Sequence, residues 1–270
     1  MQAKLLMIDP QNDFCDVPGA ALPVPGANAD LARLAHFLSA AQLAVVDVIV
    51  TLDSHPSVAI ERTTFWADAD GTPVKPFTLI TEADVRAGTY RPRQASLTSE
   101  VLAYLHALET GGRYRLMVWP VHCVVGTWGH NIHPALAAQI ARWEEQMQRG
   151  ALKVLKGGNP LTEQYSAVRA EVPRRDDPAT QQNRTLIERT MPADGQQLVV
   201  AGEAASHCVA ATVTDLLAEM TPEQRSRVIL LTDCMSSVAG FEQATQAFLA
   251  EAAAQGAQAL DRDAALARLA

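Results

Sequence analysis

The chain alternates short apolar runs with amphipathic stretches, and this alternation limits its fold more than any other feature. Five runs rich in β-branched residues are predicted to be buried strands: 5–8, 45–51, 153–155, 197–202 and 227–232. Helical spacing covers 28–42, 208–219 and 241–255. Strands buried on both faces and separated by helices form parallel sheets with helices on each side. The sequence therefore predicts a Rossmann-like three-layer αβα sandwich with a mainly parallel sheet of about six strands.

Two long segments, 57–114 and 157–195, interrupt this rhythm. Predicted strands of the same sheet resume after each of them, so we expect a single domain over 1–270 with a long insertion at about 57–114. The insertion contains one predicted helix, at 97–108. Loops of this length in a compact fold usually act as lids or binding loops. We expect the insertion to lie near the active site, although surface elaboration without a role also fits.

Composition excludes several classes of protein. Hydrophobic residues make up 48% and charged residues 19% of the 270 positions, which is ordinary globular usage. Lys and Arg number 22 against 30 Asp and Glu, and no basic cluster is present, so nucleic acid and anionic membranes are not expected partners. No apolar run approaches the ~20 residues of a membrane span. The first strand-like run begins at Lys4, which leaves no room for a signal peptide. We therefore expect a cytoplasmic protein.

Polar residues follow the predicted strands at their carboxyl ends, where open parallel sheets bind ligands. Asp9 ends the first strand, Asp53 and His55 follow the second, and Lys156 ends the third. The fourth strand leads through a turn of small residues to Cys208. We expect these five side chains to converge on one edge of the sheet.

Cys208, Asp9 and Lys156 form a chemically complete set. At the start of a helix, unpaired N–H groups and the helix dipole lower a thiol pKa and can also stabilise an oxyanion. Asp9 could accept the thiol proton as a general base and deliver it to a leaving nitrogen. Lys156 would stabilise the negative charges. A buried packing cysteine, a helix-capping aspartate and a surface lysine are the alternatives for each residue alone.

Asp53 and His55 are two residues apart, so on an extended strand end their side chains point the same way. Oxygen and nitrogen ligands suit Zn²⁺, with Fe²⁺ or Mn²⁺ as alternatives, and His122 is the third candidate ligand. A hydrogen-bonded Asp–His pair without a metal would show the same spacing.

Five segments resemble the motifs of the nicotinamidase/isochorismatase-like cysteine hydrolases, and the third is typical of the nicotinamidase branch. In chain order they read L-L-M-I-D-P-Q-N-D-F-C (5–15), T-L-D-S-H-P (51–56), W-P-V-H-C-V-V-G-T (119–127), L-K-G with Y-S-A (155–157 and 165–167), and G-E-A-A-S-H-C-V-A-A-T (202–212). They follow the family's order and cover most of the chain.

The resemblance implies a role for each matched position. Cys208 would be the nucleophile, Asp9 the proton shuttle and Lys156 the third member of the triad. Asp53, His55 and His122 would hold a divalent metal that binds the substrate's pyridine nitrogen. Ala204 and Cys208 would offer backbone N–H groups to the oxyanion, with a cis peptide bond between Glu203 and Ala204. The residues implied as walls of the substrate pocket are Phe14, Trp119 and Tyr165.

Four positions depart from the family pattern. Ser54 stands where tryptophan is usual, and Glu203 and Ser206 replace an apolar residue and an aspartate around the nucleophile. A further metal ligand normally follows His55 by a few residues, and here the only candidate is Glu61. These differences affect the pocket and the metal site, not the triad.

The expected activity is hydrolysis of a small carboxamide, nicotinamide or a related compound, to the carboxylic acid and ammonia through a thioester. A metal-independent amidohydrolase acting on N-carbamoyl or ureido compounds is an alternative within the same family. A non-catalytic, thiol-bearing binding protein is the alternative from another class. Relatives are commonly homo-oligomers, and the resemblance implies the same here.

Overall fold

The computed structural model describes residues 1–270 and is built around one six-stranded sheet in which all neighbouring strands are parallel. Its strands are β1 (Gln2–Ile8), β2 (Val45–Asp53), β7 (Leu152–Lys156), β8 (Gln196–Gly202), β9 (Val228–Leu231) and β10 (Gln258–Leu260). They lie in the order β10-β9-β8-β1-β2-β7. The expected parallel α/β fold is confirmed.

Helices cover both faces of the sheet. They are α1 (Ala27–Ala40), α4 (Pro134–Met147), α5 (Arg184–Thr190), α6 (Ala210–Ala218), α7 (Pro222–Arg225), α8 (Glu242–Ala254) and α9 (Arg262–Leu269). Side chains of α1, α4 and α9 pack in one apolar core with one face of the sheet. Side chains of α5, α6 and α8 pack in a second core on the other face. This is the three-layer arrangement that the sequence predicts.

The central strands are held very close together at their carboxyl ends. Ile8 pairs with Gly202 across β1 and β8, and Gly202 has φ of 122°. A Cβ atom at Gly202 would lie 2.0 Å from the Ile8 carbonyl oxygen, so no other residue fits there without moving a strand. This close approach brings the end of β1 next to the turn that carries Cys208.

The 57–114 insertion has its own structure. It contributes β3 (Trp66–Asp68), β4 (Thr78–Ile80), α2 (Glu82–Ala87), β5 (Tyr90–Pro92) and α3 (Thr98–Gly111). β3 pairs with β5, and β4 pairs with the following β6 (Leu116–Val118), both antiparallel. Twelve buried residues form a third core there, including the fully buried Trp66 and Leu105. The helix predicted at 97–108 is present, but the short strands were not predicted from the sequence.

No helix in the structure is both long and apolar enough to cross a lipid bilayer.

Candidate active site

Five side chains that the sequence places at strand ends meet in one buried cluster. Asp9 follows β1, Asp53 ends β2, Lys156 ends β7, and Cys208 lies in the turn after β8. His55 lies two residues beyond the end of β2. All five are buried. The parallel sheet brings these strand ends together, because all of its strands point to the same edge.

Lys156 is at the centre of this cluster. Its Nζ lies 3.0 Å from Asp9 Oδ2, 2.8 Å from Asp53 Oδ1 and 3.5 Å from Cys208 Sγ. The same group donates to the backbone oxygen of Gln164 at 3.0 Å. Although burial opposes it, the negative charges of Asp53 and Asp9 raise the pKa of Lys156 well above its ordinary value. Lys156 is therefore a permanent cation between two carboxylates and the thiol.

Asp9 is suited to accept a proton. Thr51 Oγ1 donates to its Oδ1 at 2.5 Å, while Oδ2 faces Lys156. Burial raises the pKa of Asp9, with Lys156 acting in the opposite direction. A carboxylate that is fully buried is a stronger base than one in water, because its charge is poorly solvated.

The thiol of Cys208 is not acidic in this structure, contrary to expectation. Cys208 lies in a π-helical turn (Ala205–Val209) directly before α6, and is fully enclosed. Burial raises its pKa well above the usual range, Lys156 lowers it only in part, and the nearby carboxyl groups of Asp9 and Asp53 raise it further. Desolvation dominates, so Cys208 is a neutral thiol in the resting site.

The turn before Cys208 presents a backbone donor to the pocket. The peptide bond between Glu203 and Ala204 is cis, as the resemblance implies. The Ala204 N–H donates to no backbone or side-chain acceptor within the protein, and Ala204 lines the pocket beside Cys208. An N–H group in this position is available to an oxyanion.

The three predicted metal ligands also come together. One ligand atom each from Asp53, His55 and His122 lie within 4.8 Å of one another. His55 Nε2 lies 2.7 Å and His122 Nε2 lies 3.3 Å from Asp53 Oδ2. The other carboxylate oxygen of Asp53 is bound by Lys156, so the two oxygens serve different parts of the site.

The hydrogen bonds of the two histidines fit a divalent cation. Nδ1 of His55 contacts the carbonyl oxygen of Gly157 at 2.8 Å, and Nδ1 of His122 contacts that of Pro120 at 2.8 Å. A carbonyl oxygen only accepts, so Nδ1 of His55 carries the proton and its Nε2 has a free lone pair, whereas both ring nitrogens of His122 also face Arg62 Nη1. Burial lowers the pKa of both rings to about 4. Asp53 Oδ2 and the Nε2 atoms of both histidines converge, with Arg62 Nη1 3.2 Å from His122 Nε2, and oxygen and nitrogen ligands in this arrangement suit a divalent metal ion.

Three buried charged residues surround the predicted metal ligands. The sequence left the role of Glu61 open and did not indicate Arg62 or Glu163. Glu61 lies on the Nδ1 side of His55, with Oε1 at 3.3 Å, so it supports that ring from behind and is not among the three converging ligands. Arg62 contacts the ring of His122 and donates to the Pro120 oxygen at 3.2 Å. Glu163 lines the pocket with Oε2 unpaired. The one sequence signal for Glu163 is its position two residues before Tyr165, a predicted wall residue of the pocket.

A narrow pocket connects the thiol to the metal ligands. Its empty volume is about 380 Å³ including its mouth, and Cys208, Asp53 and His122 all contribute to its wall. The three predicted wall residues, Phe14, Trp119 and Tyr165, all line it. The rest of the lining is Leu22, Ala204, His207 and Val238, together with Glu163 and Gln164. Trp119 Nε1 donates to the Tyr165 hydroxyl at 3.0 Å, which fixes both rings. The pocket suits a flat molecule of a few heavy atoms.

Two further histidines lie around the pocket, and His207 lines it. His130 bonds to Ser54 at 2.8 Å, so the residue that replaces tryptophan is used in a side-chain contact. His207 packs among Trp119, Tyr165 and Phe241. The remaining cysteines, Cys15, Cys123 and Cys234, are buried and unpaired.

The chain is similar in sequence to a curated protein. It is 27% identical over 213 residues to the nicotinamidase of Escherichia coli (strain K12), covering 79% of this chain and 75% of that protein. No protein-family model matches the chain.

Solved structures with the same fold extend over nearly the whole chain. The yeast nicotinamidase Pnc1p is 21% identical with a TM-score of 0.65, over 96% of this chain and 100% of that one. A pyrazinamidase of Pyrococcus horikoshii in complex with zinc has 18% identity and a TM-score of 0.54, over 97% and 99%. An isochorismatase-like hydrolase from Alkaliphilus metalliredigens has 17% identity and a TM-score of 0.55, over 100% of both. The resemblance seen in the motifs is confirmed, and the fold is the isochorismatase-like hydrolase fold.

Proposed function

We propose that this chain, whose motifs and fold are those of the nicotinamidase/isochorismatase-like cysteine hydrolases, hydrolyses a small carboxamide to its carboxylic acid and ammonia. Nicotinamide or a closely related amide is the proposed substrate. The observation that carries the proposal is the contact of one buried cation, Lys156, with both Asp9 and Cys208 at the base of a narrow pocket. The sequence similarity to a nicotinamidase supports the same substrate class.

The reaction would begin with the transfer of the thiol proton of Cys208 to Asp9. The sulfur then attacks the carboxamide carbon, and the carbonyl oxygen takes up negative charge. Asp9 returns the proton to the amide nitrogen, so the carbon–nitrogen bond breaks, ammonia leaves and a thioester to Cys208 remains. In the second half, Asp9 accepts a proton from water and the hydroxide attacks the thioester carbon. The carbon–sulfur bond then breaks, Asp9 returns the proton to the Cys208 sulfur, and the carboxylic acid leaves.

Lys156 and the backbone would stabilise the charges that form in these steps. The thiolate formed when Asp9 takes the proton lies 3.5 Å from the ammonium group of Lys156. The oxyanion would receive the free N–H of Ala204 and the N–H of Cys208. In a buried site such preorganised donors are worth far more than in water.

Asp53, His55 and His122 would hold a divalent metal, with zinc the proposed ion and iron or manganese as alternatives. When bound, such an ion supplies a Lewis-acidic contact for a ring nitrogen or oxygen of the substrate. A structural neighbour solved with zinc supports this choice. Phe14, Trp119 and Tyr165 would enclose the ring, so that its amide group points to Cys208.

The decisive experiment measures ammonia release from nicotinamide and a panel of small amides. We expect Cys208→Ala to lose activity by a factor on the order of 10³ or more, because the covalent step is removed. Cys15→Ala is the matched control, since it removes a buried thiol that packs on the other face of the sheet. Full activity in Cys208→Ala would rule out the proposed mechanism.

Two further features stay predictions. A reactive thiol needs a reducing compartment, so we place the protein in the cytoplasm. A homo-oligomeric state is expected from the resemblance alone.

A further inference from the structure

Glu203 is a fully buried carboxyl group that the triad does not use. It directly precedes Ala204, whose N–H is proposed to bind the oxyanion. Its backbone N–H donates to the Ile8 oxygen at 2.8 Å, and its Oε2 accepts from the Ser236 N–H at 3.2 Å. Its other oxygen, Oε1, is buried and makes no hydrogen bond to an N–H or O–H group.

Asp30 on α1 also has a buried carboxylate oxygen without a hydrogen-bond partner. One of its oxygens is bound by Arg33, and the other, Oδ2, is buried without a donor. The two carboxyl groups are hydrogen-bonding neighbours. Both lie beside Ser236, whose N–H donates to Glu203 Oε2 at 3.2 Å, while a Cβ atom built on Gly26 would lie 2.8 Å from Ser236 Oγ and 3.9 Å from Asp30 Oδ2. Two ionised carboxylates cannot hydrogen-bond to each other, because both only accept. If one of them is protonated, its O–H donates to the other and both oxygens have a partner.

We propose that Glu203 is a positioning residue whose protonated carboxyl group donates to Asp30 and so anchors the oxyanion turn to α1. The catalytic part of this proposal rests on the proposed amidohydrolase function. The turn is also tied to the segment after β9, where Ala205 N–H donates to the Ser236 oxygen at 2.8 Å and Val238 N–H donates to Ser206 Oγ at 3.1 Å. Glu203 links that segment to α1, which holds the turn from two sides.

The surroundings of the pair favour a neutral Glu203. Burial, and then the charge of Asp30, raise the pKa of Glu203 well above its usual value. The other titratable or charged groups that face the pair are Cys15, Asp16, Arg33, Asp233 and Cys234. Burial raises the pKa of Cys15 to about 12, so its thiol stays neutral over the working range. Arg33 is the only cation in this group, and it is already paired with Asp30.

The stability contribution of Glu203 depends on pH. Because the pKa of Glu203 is higher in the folded chain than in the unfolded chain, its contribution to stability is complete at low pH. It is lost as pH rises through the folded-state pKa, when a second negative charge appears beside Asp30. Glutamine keeps the shape, supplies a permanent N–H donor to Asp30 and an acceptor for Ser236, and cannot ionise.

The test compares wild type, Glu203→Gln and Glu203→Ala by melting temperature against pH and by steady-state kinetics. We expect the wild-type melting temperature to fall at alkaline pH more steeply than that of Glu203→Gln. We expect Glu203→Gln to keep wild-type activity at neutral pH, and Glu203→Ala to lose about tenfold to 100-fold in kcat with little change in KM. Parallel melting profiles for wild type and Glu203→Gln, or a glutamine variant as impaired as the alanine variant, would overturn the proposal.

A spectroscopic measurement on wild type keeps the proposal testable if a variant does not fold. A protonated carboxylic acid has its own infrared carbonyl band. We expect the wild-type spectrum at neutral pH to contain one such band that is missing from Glu203→Gln or, failing that variant, from Asp30→Asn. Absence of the band from wild type contradicts the shared proton. Melting and infrared data need no substrate, so they separate this proposal from a failure to hydrolyse amides.

Discussion

The two halves of the site are built differently, although they lie in one pocket. The thiol half, made of Asp9, Lys156 and Cys208, comes from the ends of central strands and satisfies most of its charge internally. The metal half, made of Asp53, His55 and His122, has Glu61 and Arg62 from the long insertion packed around it. Glu61 Oε1 lies 3.3 Å from both His55 Nδ1 and Arg62 Nε, and its Oε2 makes no hydrogen bond. The thiol half consists of protein groups alone, whereas the metal half is proposed to bind a cation.

Removing Lys156 should have the largest effect on stability and activity, because its ammonium group contacts carboxylates of both halves, Asp9 and Asp53. In Lys156→Met two buried carboxylates lose their cation, and we expect the free energy of unfolding to fall by about 3–5 kcal/mol. Activity should fall by a factor on the order of 10³ or more. Urea unfolding and ammonia release measure the two effects.

Lys153→Met is the matched control on the same strand. Lys153 is half-exposed and pairs with Glu144 at 3.2 Å, so its loss should change the unfolding free energy by less than about 0.5 kcal/mol. Equal effects for the two lysines would show that Lys156 does not connect the halves.

The next change separates the halves. His122→Asn removes one metal ligand, so we expect metal content to fall and metal affinity to weaken by more than about 100-fold. The rate at which iodoacetamide alkylates Cys208 should stay as in wild type, because the thiol half is untouched. Elemental analysis and mass spectrometry of the labelled peptide test this, with the exposed His106→Asn as control. Undiminished turnover by metal-free protein would instead favour the metal-independent N-carbamoyl hydrolase.

The smallest of these effects concerns the insertion. Glu61 Oε1 lies 3.3 Å from His55 Nδ1. A carboxylate at that distance makes the other ring nitrogen, Nε2, a stronger metal ligand. We expect Glu61→Gln to weaken metal affinity by about tenfold, with kcat of the metal-saturated protein nearly unchanged. Competition with a chromophoric chelator measures the affinity, and Glu100→Gln on α3 serves as control. A loss as large as that of His122→Asn would make Glu61 a direct ligand.

The sequence predicts the thiol half better than the metal half, and the reason is physical. Asp9, Lys156 and Cys208 lie at ends of apolar strands, and parallel pairing brings such ends together wherever the loops run. Glu61, Arg62 and Glu163 lie in long irregular segments without periodicity, so their positions depend on tertiary packing. The thiol pKa of Cys208 was predicted with the wrong sign, because sequence shows the helix start but not the depth of burial.

Two consecutive residues, Lys156 and Gly157, fix the geometry of both halves. The first holds the thiol half by its ammonium group, and the second accepts the His55 Nδ1 hydrogen bond at 2.8 Å. A Cβ atom at Gly157 would lie 2.5 Å from the His55 ring. Neither an inserted residue in β7 nor a side chain at 157 can be accommodated locally, because either change displaces the proposed nucleophile and the proposed metal ligands together. For protein engineering, the end of β7 is therefore the stretch whose length must be kept.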